Sequence, residues 1–207
     1  MTIFKVMSVF GGAAIALSGC GVATALELVE RLDEVTVLET NVLNAAATDD
    51  LSGRNGTASY TGQAVIGGSV SEEQVAGFSA DATVDVNFDR ATATGEMTNF
   101  IGSDMTPEEV AAIENGTANV SDLLSAFSPA TGTAALENGT ISGTSLDADT
   151  SGTITMKGVE YVLSGGVTGG FKGANATGVQ LAQDTDFMIT RDGVALTDPT
   201  ILLLGSE

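Results

Sequence analysis

The sequence predicts an all-β protein, a single antiparallel β-barrel of about eight strands preceded by a short N-terminal helical arm. Apolar and polar residues alternate with a period of two through most of the chain after residue 56, as in strands with one buried and one solvent-facing side. Turn residues separate these runs at roughly ten-residue spacing, which is typical of barrels and sandwiches. Glycine is abundant, at 26 residues, and glycines inside strands mark the bends that a closed barrel needs.

The first element is a short apolar segment that ends at Leu17, Ser18, Gly19 and Cys20. A secretory signal combines a basic start, an apolar core of about 7–15 residues and small residues before the cleavage site. Lys5 supplies the basic charge, and the serine and glycine are the small residues. Glycines interrupt the apolar run, which is shorter than the roughly 20 residues of a transmembrane helix. The segment therefore predicts export, with an ordinary secretory signal or a short anchor as the alternatives.

Leu17, Ser18, Gly19 and Cys20 resemble the lipobox of bacterial lipoproteins, a leucine and two small residues before a cysteine. The resemblance implies that residues 1–19 are removed and that the Cys20 thiol receives diacylglycerol. Each buried CH₂ group contributes about 0.8 kcal/mol, so several acyl chains hold such a protein firmly on a membrane. The residue after Cys20 is Gly21, whereas an aspartate at this position retains enterobacterial lipoproteins in the inner membrane. The absence of that aspartate favours the outer membrane. We therefore expect the membrane to be a partner through a lipid on Cys20.

Composition excludes several functional classes. The chain carries 27 acidic and 7 basic residues, a formal net charge of -20, so it repels phosphate backbones and we expect no nucleic acid partner. Cys20 is the only cysteine and histidine is absent, which excludes an internal disulfide, a histidine-dependent triad and an imidazole metal site. A carboxylate pair could hydrolyse glycosides, but no pair stands out. We expect no catalytic residue, no metal and no cofactor, and hence no enzyme.

The arm and the barrel differ in their periodicity. Apolar residues at helical spacing predict a helix over Ala23–Glu34, which either continues to Ala46 or becomes extended at the β-branched residues 35–37, followed by a polar loop. The predicted domains are a signal peptide at residues 1–19, a lipidated arm and linker at 20–56 and the barrel at 57–207.

Ten predicted strands follow the arm. A capping box at Thr106–Glu109 predicts a short helix among them, Asn138-Gly139 predicts a hairpin turn, and the last run is expected to pair with the first. The predicted strands are Thr57–Ile66, Ala80–Phe88, Ala91–Phe100, Thr131–Leu136, Gly139–Leu146, Gly152–Lys157, Val159–Ser164, Val179–Ala182, Phe187–Thr190 and Ile201–Leu204.

A glycine-rich run late in the chain resembles a signature of the barrel domains of transferrin-binding protein B and related single-barrel surface lipoproteins. The matching positions are Gly170, Phe171, Gly173, Ala176 and Gly178. The resemblance implies an eight-stranded barrel filled with side chains, tethered to the outer membrane and often displayed at the cell surface. It also implies structural roles for these five residues, with the phenylalanine as a core anchor. This chain has one barrel rather than two lobes, so transferrin binding itself is not implied.

The expected function is that of an outer-membrane binding lipoprotein, an accessory to nutrient (iron or haem) acquisition. It would bind an unknown protein or small-molecule ligand through its loops, alongside an outer-membrane receptor or translocon. The alternative is a lipocalin-like carrier with a ligand inside the barrel. Small residues such as Ala82 and Gly95 allow a cavity, whereas Phe88, Phe171 and Tyr161 are expected to fill it.

Acidic residues in one predicted strand imitate a calcium loop. Asp85, Asn87, Asp89 and Glu96 have the required spacing, but Arg90 replaces the glycine that the loop needs, so we interpret them as the solvent-facing side of a strand. Two further acidic groups are predicted to be turns with at most weak calcium binding, Asp147–Asp149 and Asp184–Asp186.

Overall fold

A computed structural model describes Glu27, Arg31, residues 34–115, Thr117 and residues 126–207. Within these residues ten strands form one antiparallel sheet that closes on itself, so the predicted all-β barrel is confirmed. The elements in chain order are a π-helical turn (Glu39–Leu43), β1 (Thr57–Ser71), β2 (Gln74–Asn87), β3 (Thr92–Met105), α1 (Pro107–Glu114), β4 (Phe127–Ser142), β5 (Ser145–Met156), β6 (Val159–Lys172), β7 (Gly178–Gln183), β8 (Met188–Arg191), β9 (Val194–Ala195) and β10 (Thr197–Ser206).

The barrel has eight strand positions, and two of them are each built from two pieces. Strands β1 to β6 pair in chain order, and β7 and β8 then lie one after the other along β6. Strand β9 pairs with β8, while β10 pairs with both β7 and β1. The last strand therefore closes the barrel against the first, as expected, with Ile66 opposite Ile201.

Large side chains fill the interior. Phe78 meets Tyr161 edge to face with ring centroids 4.8 Å apart, and Phe171 lies 5.9 Å from Tyr60 and 5.5 Å from Phe88. The largest fully buried side chains are Tyr60, Tyr161, Phe171, Ile66, Met97, Leu146, Ile154, Met156, Leu163, Leu181, Ile189 and Ile201. The predicted tight packing of the barrel follows from this alternation, which places apolar residues inside and threonine, serine and acidic residues outside.

The predicted hairpin turn at Asn138-Gly139 is wrong. Strand β4 continues through both residues, and the turn to β5 comes at Gly143, where φ is +61°. The asparagine has φ +53° and the register against β5 shifts there, so the pair forms a bulge. A side chain at Gly139 would overlap the backbone oxygen of Ala93, so the glycine lets β3 and β4 approach closely.

The predicted acidic turn at Asp147–Asp149 is also wrong, because these residues lie within β5. Asp147 pairs with Thr168 and Asp149 with Gly166 on β6, and both carboxylates point outward. By contrast, Asp184–Asp186 does lie in the connection between β7 and β8. The alternating carboxylates of β5 resemble a turn in the sequence because aspartate is common in turns and depleted in strands.

The helical parts agree with the sequence where they are described. Of the predicted helix Ala23–Glu34, only Glu27, Arg31 and Glu34 are described, and all three are helical; the helix continues to Leu38 before the π-helical turn. In the capping box, the Thr106 N–H donates to Glu109 Oε2 (2.7 Å) and the Glu109 N–H to Thr106 Oγ1 (3.2 Å). No helix among the described residues is long and apolar enough to cross a bilayer.

Candidate functional site

The predicted lipidation residue, Cys20, and the lipobox residues Leu17, Ser18 and Gly19 lie outside the described residues. The described chain that follows them is the arm, residues 34–56 together with Glu27 and Arg31. The structure brings this arm onto the barrel at the predicted family motif. The candidate site is therefore the junction between the arm and the barrel.

The aromatic residue of the motif lies at the bottom of this junction. Phe171 is fully buried between the rings of Tyr60 and Phe88. The Tyr60 hydroxyl donates a hydrogen bond of 2.7 Å to the backbone oxygen of Ala176, which is itself fully buried. The motif thus ties the end of β6 to the start of β1 through the core, a connection that the sequence spacing did not reveal.

The three motif glycines make room for backbone and for the arm. Gly173 has φ +76° in the turn between β6 and β7, and a Cβ at Gly170 would come within 2.6 Å of the Thr144 backbone oxygen. At Gly178 a Cβ would come within 3.0 Å of the Val42 side chain. A side chain at this last position would therefore press on the Val42 side chain of the arm.

Backbone hydrogen bonds join the arm directly to the motif. The Thr48 N–H donates to the Phe171 oxygen at 2.9 Å, and the Gly173 N–H donates to the Ala46 oxygen at 2.8 Å. The Thr48 hydroxyl donates to the Gly173 oxygen at 2.9 Å, and Ala47 forms an isolated β-bridge with Lys172. Residues 46–48 thus continue the sheet for one bridge beyond β6.

An apolar strip on the outer wall receives the helical part of the arm. Leu38 and Val42 of the arm are buried against Leu202 and Leu204 of β10. A Cβ at Gly62 would come within 2.2 Å of the Leu204 backbone oxygen and within 3.0 Å of the Leu38 side chain, so this glycine makes room first for the backbone of β10 and then for the arm. The sequence signal was the unbroken apolar run at residues 201–204, which fits a strand buried on both sides.

A polar clasp, formed by Arg31, Asp81, Ser79, Asn99 and Glu27, fastens the arm further round the wall. The guanidinium is only 4% exposed; its Nη2 lies 3.3 Å from Asp81 and 2.9 Å from Glu27, and it donates to the Asn99 backbone oxygen. Nη1 lies 3.5 Å from the Ser79 hydroxyl. Asn99 has φ +53° where β3 is out of register with β4, so the wall bulges at the point that receives the guanidinium.

A second contact lies beside the clasp. Gln63 of β1 is buried, and its amide donates to Glu34 of the arm at 2.8 Å and to Asp81 at 3.1 Å. The arm therefore crosses the outer wall from β7 over β10, β1 and β2 to β3. It covers the seam at which the first and last strands close the barrel.

The last part of the arm, residues 49–56, caps one end of the barrel. Leu51 packs on the core, and the Arg54 guanidinium lies 4.7 Å above the Phe88 ring and 2.7 Å from the Glu207 carboxylate. Burial raises the pKa of Tyr60 to about 12, although the positive charge of Arg54 opposes this shift. We refer to this as the capped end.

A polar group lies at the opposite end. The Tyr161 hydroxyl is 3.5 Å from Asp104, whose carboxylate lies 3.9 Å from the Lys157 ammonium. Arg191 lies 6.0 Å from the Tyr161 ring centroid. Burial raises the pKa of Tyr161, and the negative charge of Asp104 adds to the shift. These four side chains therefore contact one another at this end of the barrel.

The acidic residues that imitate a calcium loop do not converge. Asp85 and Asn87 line a shallow depression of about 410 Å³ on β1, β2 and β3, whereas Asp89 accepts a hydrogen bond from the Gly56 N–H at 3.0 Å. Asn87 instead accepts one from the Arg90 N–H at 2.9 Å. Among the described residues, no three histidine, cysteine, aspartate or glutamate side chains are grouped closely enough to hold a metal ion.

No protein-family model matches the chain, and searches of curated proteins and of solved structures found no match either.

Proposed function

We propose that this chain is a lipid-anchored lipoprotein of the bacterial outer membrane that acts as a binding protein rather than as an enzyme. The observation that carries the proposal is the junction, because the chain that follows Cys20 is fastened to the barrel by Arg31, Leu38, Val42 and residues 46–48. A membrane tether can hold a folded domain in a defined place only if the tether is itself fixed to that domain.

The filled interior favours recognition through loops and outer walls over carriage of a ligand inside the barrel. Phe171 and Tyr161 are fully buried there, and Phe88 packs against the same cluster. Core atoms lie close to the small residues: Ala82 is buried among core side chains, and a Cβ at Gly95 would come within 3.0 Å of Leu136.

The binding partner is proposed to be a protein or a small nutrient, presented alongside an outer-membrane receptor or a surface translocon. The resemblance to the barrels of transferrin-binding protein B supports a role in iron or haem acquisition at the cell surface. The net charge of -20 favours partners with a basic surface, because opposite charges steer association.

Metabolic labelling with an alkyne palmitate in a Gram-negative host tests the anchor. We expect labelled protein in the outer-membrane fraction, and an N-terminal peptide that begins at Cys20 and carries acyl chains by mass spectrometry. The Cys20→Ala variant is expected to lose the label and to leave the membrane. If it stays on the membrane at the mature mass, the proposal is wrong.

A second experiment tests the binding role. Intact cells are treated with protease and then probed for the barrel, and the native protein is isolated by cross-linking to its membrane partners. Loss of the barrel from intact cells, together with cross-links to an outer-membrane receptor or translocon, supports surface binding. A small molecule that stays bound to the barrel in native mass spectrometry supports the carrier instead.

A further inference from the structure

We infer that the arm tethers the barrel by its side, so that the wall formed by β2 and β3 faces the membrane and the wall formed by β6 and β7 faces away from it. The inference rests on the proposed lipid at Cys20. It adds an orientation that the proposed function does not contain.

The first step is where the described part of the arm lies. A tether attached at one end would stand the barrel upright, but the described arm runs round the outer wall, and its N-terminal residues lie in the polar clasp on β2 and β3. Glu27 lies 2.9 Å from Arg31, which is itself 3.3 Å from Asp81. The described residue nearest to Cys20 is therefore held beside the middle of β2.

The second step is the length of chain that remains. Glu27 is seven residues after Cys20 (27 − 20 = 7), and seven residues span at most about 25 Å when fully extended. Strand β1 has 15 residues, and a strand of that length extends about 50 Å. The tether is thus short relative to the barrel, and its attachment point is on the side.

The third step is the strand order. Around the closed barrel the order is β1, β2, β3, β4, β5, β6, β7 and β10, so β6 lies opposite β2 and β7 lies opposite β3. A short tether on β2 and β3 brings that wall toward the bilayer and turns the opposite one outward. The two ends, including the capped end, then lie at similar heights above the membrane.

The chain offers a clean test because Cys20 is its only cysteine, so an introduced cysteine is the only free thiol in the acylated protein. Thr83→Cys on β2 and Ser164→Cys on β6 place a dye on opposite walls, at half-buried outward positions. Ser71→Cys and Ser142→Cys place it at exposed positions near the two ends. Each protein is reconstituted in phosphatidylethanolamine–phosphatidylglycerol vesicles with an acceptor dye on the headgroups.

We expect energy transfer to be stronger from position 83 than from position 164, and this difference to exceed the one between positions 71 and 142. Adding Arg31→Ala and Leu38→Ala, which remove arm contacts, is expected to reduce the difference between the walls. Equal transfer from both walls, a larger difference between the ends, or a wall difference that survives release of the arm would overturn the orientation. The intact mass of the same samples reports acylation separately, so absent acyl chains would count against the lipid anchor instead.

Discussion

Arg31 and Asp81 form an ion pair of 3.3 Å that joins the arm to the second strand of the barrel. The guanidinium is 4% exposed, whereas the carboxylate side chain is 44% exposed, so the pair lies at the edge of the covered surface. A buried guanidinium costs free energy unless its donors are satisfied. Glu27, Ser79 and the Asn99 backbone oxygen satisfy most of them, which makes this cluster the polar counterpart of the apolar strip under the arm.

Arg31→Ala is expected to lower the free energy of unfolding by about 1–3 kcal/mol, because it leaves covered acceptors without their donor. The half-exposed carboxylate of Asp81 keeps the loss below that of a fully buried pair. Urea unfolding followed by circular dichroism measures it as a shift in midpoint. Arg90→Ala, at an exposed turn position, is the matched control. An equal shift in both variants would mean that the clasp contributes no specific stability.

Leu38 and Val37 provide a matched pair on the same turn of the arm. Leu38 is buried on the apolar strip, whereas Val37 is 55% exposed. Leu38→Ala is expected to destabilise the protein by about 2 kcal/mol, near the lower limit for buried leucines because the strip lies on the outer wall. Val37→Ala should stay within about 0.5 kcal/mol of wild type. Hydrogen exchange at residues 34–48 should accelerate only in the leucine variant; protection in both would show that the arm does not depend on the strip.

The sequence was sufficient for the barrel itself. Alternation of apolar and polar residues on β2 identifies a strand with one wet side, and the apolar run at residues 201–204 correctly predicts closure against β1. These features depend on local periodicity, which is visible in a single chain.

The junction was not predicted, because it depends on contacts between distant segments. Nothing in the local pattern around Arg31 indicates that its partners lie on β2 and β3. Likewise, Asn138-Gly139 is as compatible with a bulge as with a hairpin turn, and only the neighbouring strand decides between them. Cys20 and the lipobox remain predictions, because they lie outside the described residues.

Gly178→Val tests whether the motif glycine makes room for the arm. A Cβ there would approach the Val42 side chain to 3.0 Å, so we expect a loss of about 1–3 kcal/mol from overpacking. Combining it with Val42→Ala should restore part of that stability, with a coupling energy of about 1 kcal/mol in a double-mutant cycle. Gly53→Ala is the control, since no atom lies within 4 Å of its added Cβ. Strictly additive effects would mean that the glycine serves the barrel turn and not the arm.

We expect the folded protein to lose stability at alkaline pH because of its two tyrosines. Burial raises the pKa of Tyr60 to about 12 and also raises that of Tyr161, from an ordinary value of 10.0. Below pH 10 both phenols are neutral in the folded and unfolded chains. Above it the unfolded chain loses protons first, so stability falls with rising pH until the folded tyrosines ionise as well, near pH 12 for Tyr60.

Ultraviolet absorbance resolves this titration, because the chain contains only two tyrosines and no tryptophan. In the Tyr161→Phe variant the remaining phenol, Tyr60, should titrate near pH 12 in the folded protein and near pH 10 in urea. Thermal midpoints measured from pH 8 to pH 11 should fall most steeply above pH 10, where the folded and unfolded chains differ in bound protons. Titration of Tyr60 at its ordinary pKa in the folded protein would mean that water reaches its hydroxyl, and hence that residues 46–56 do not cover the capped end.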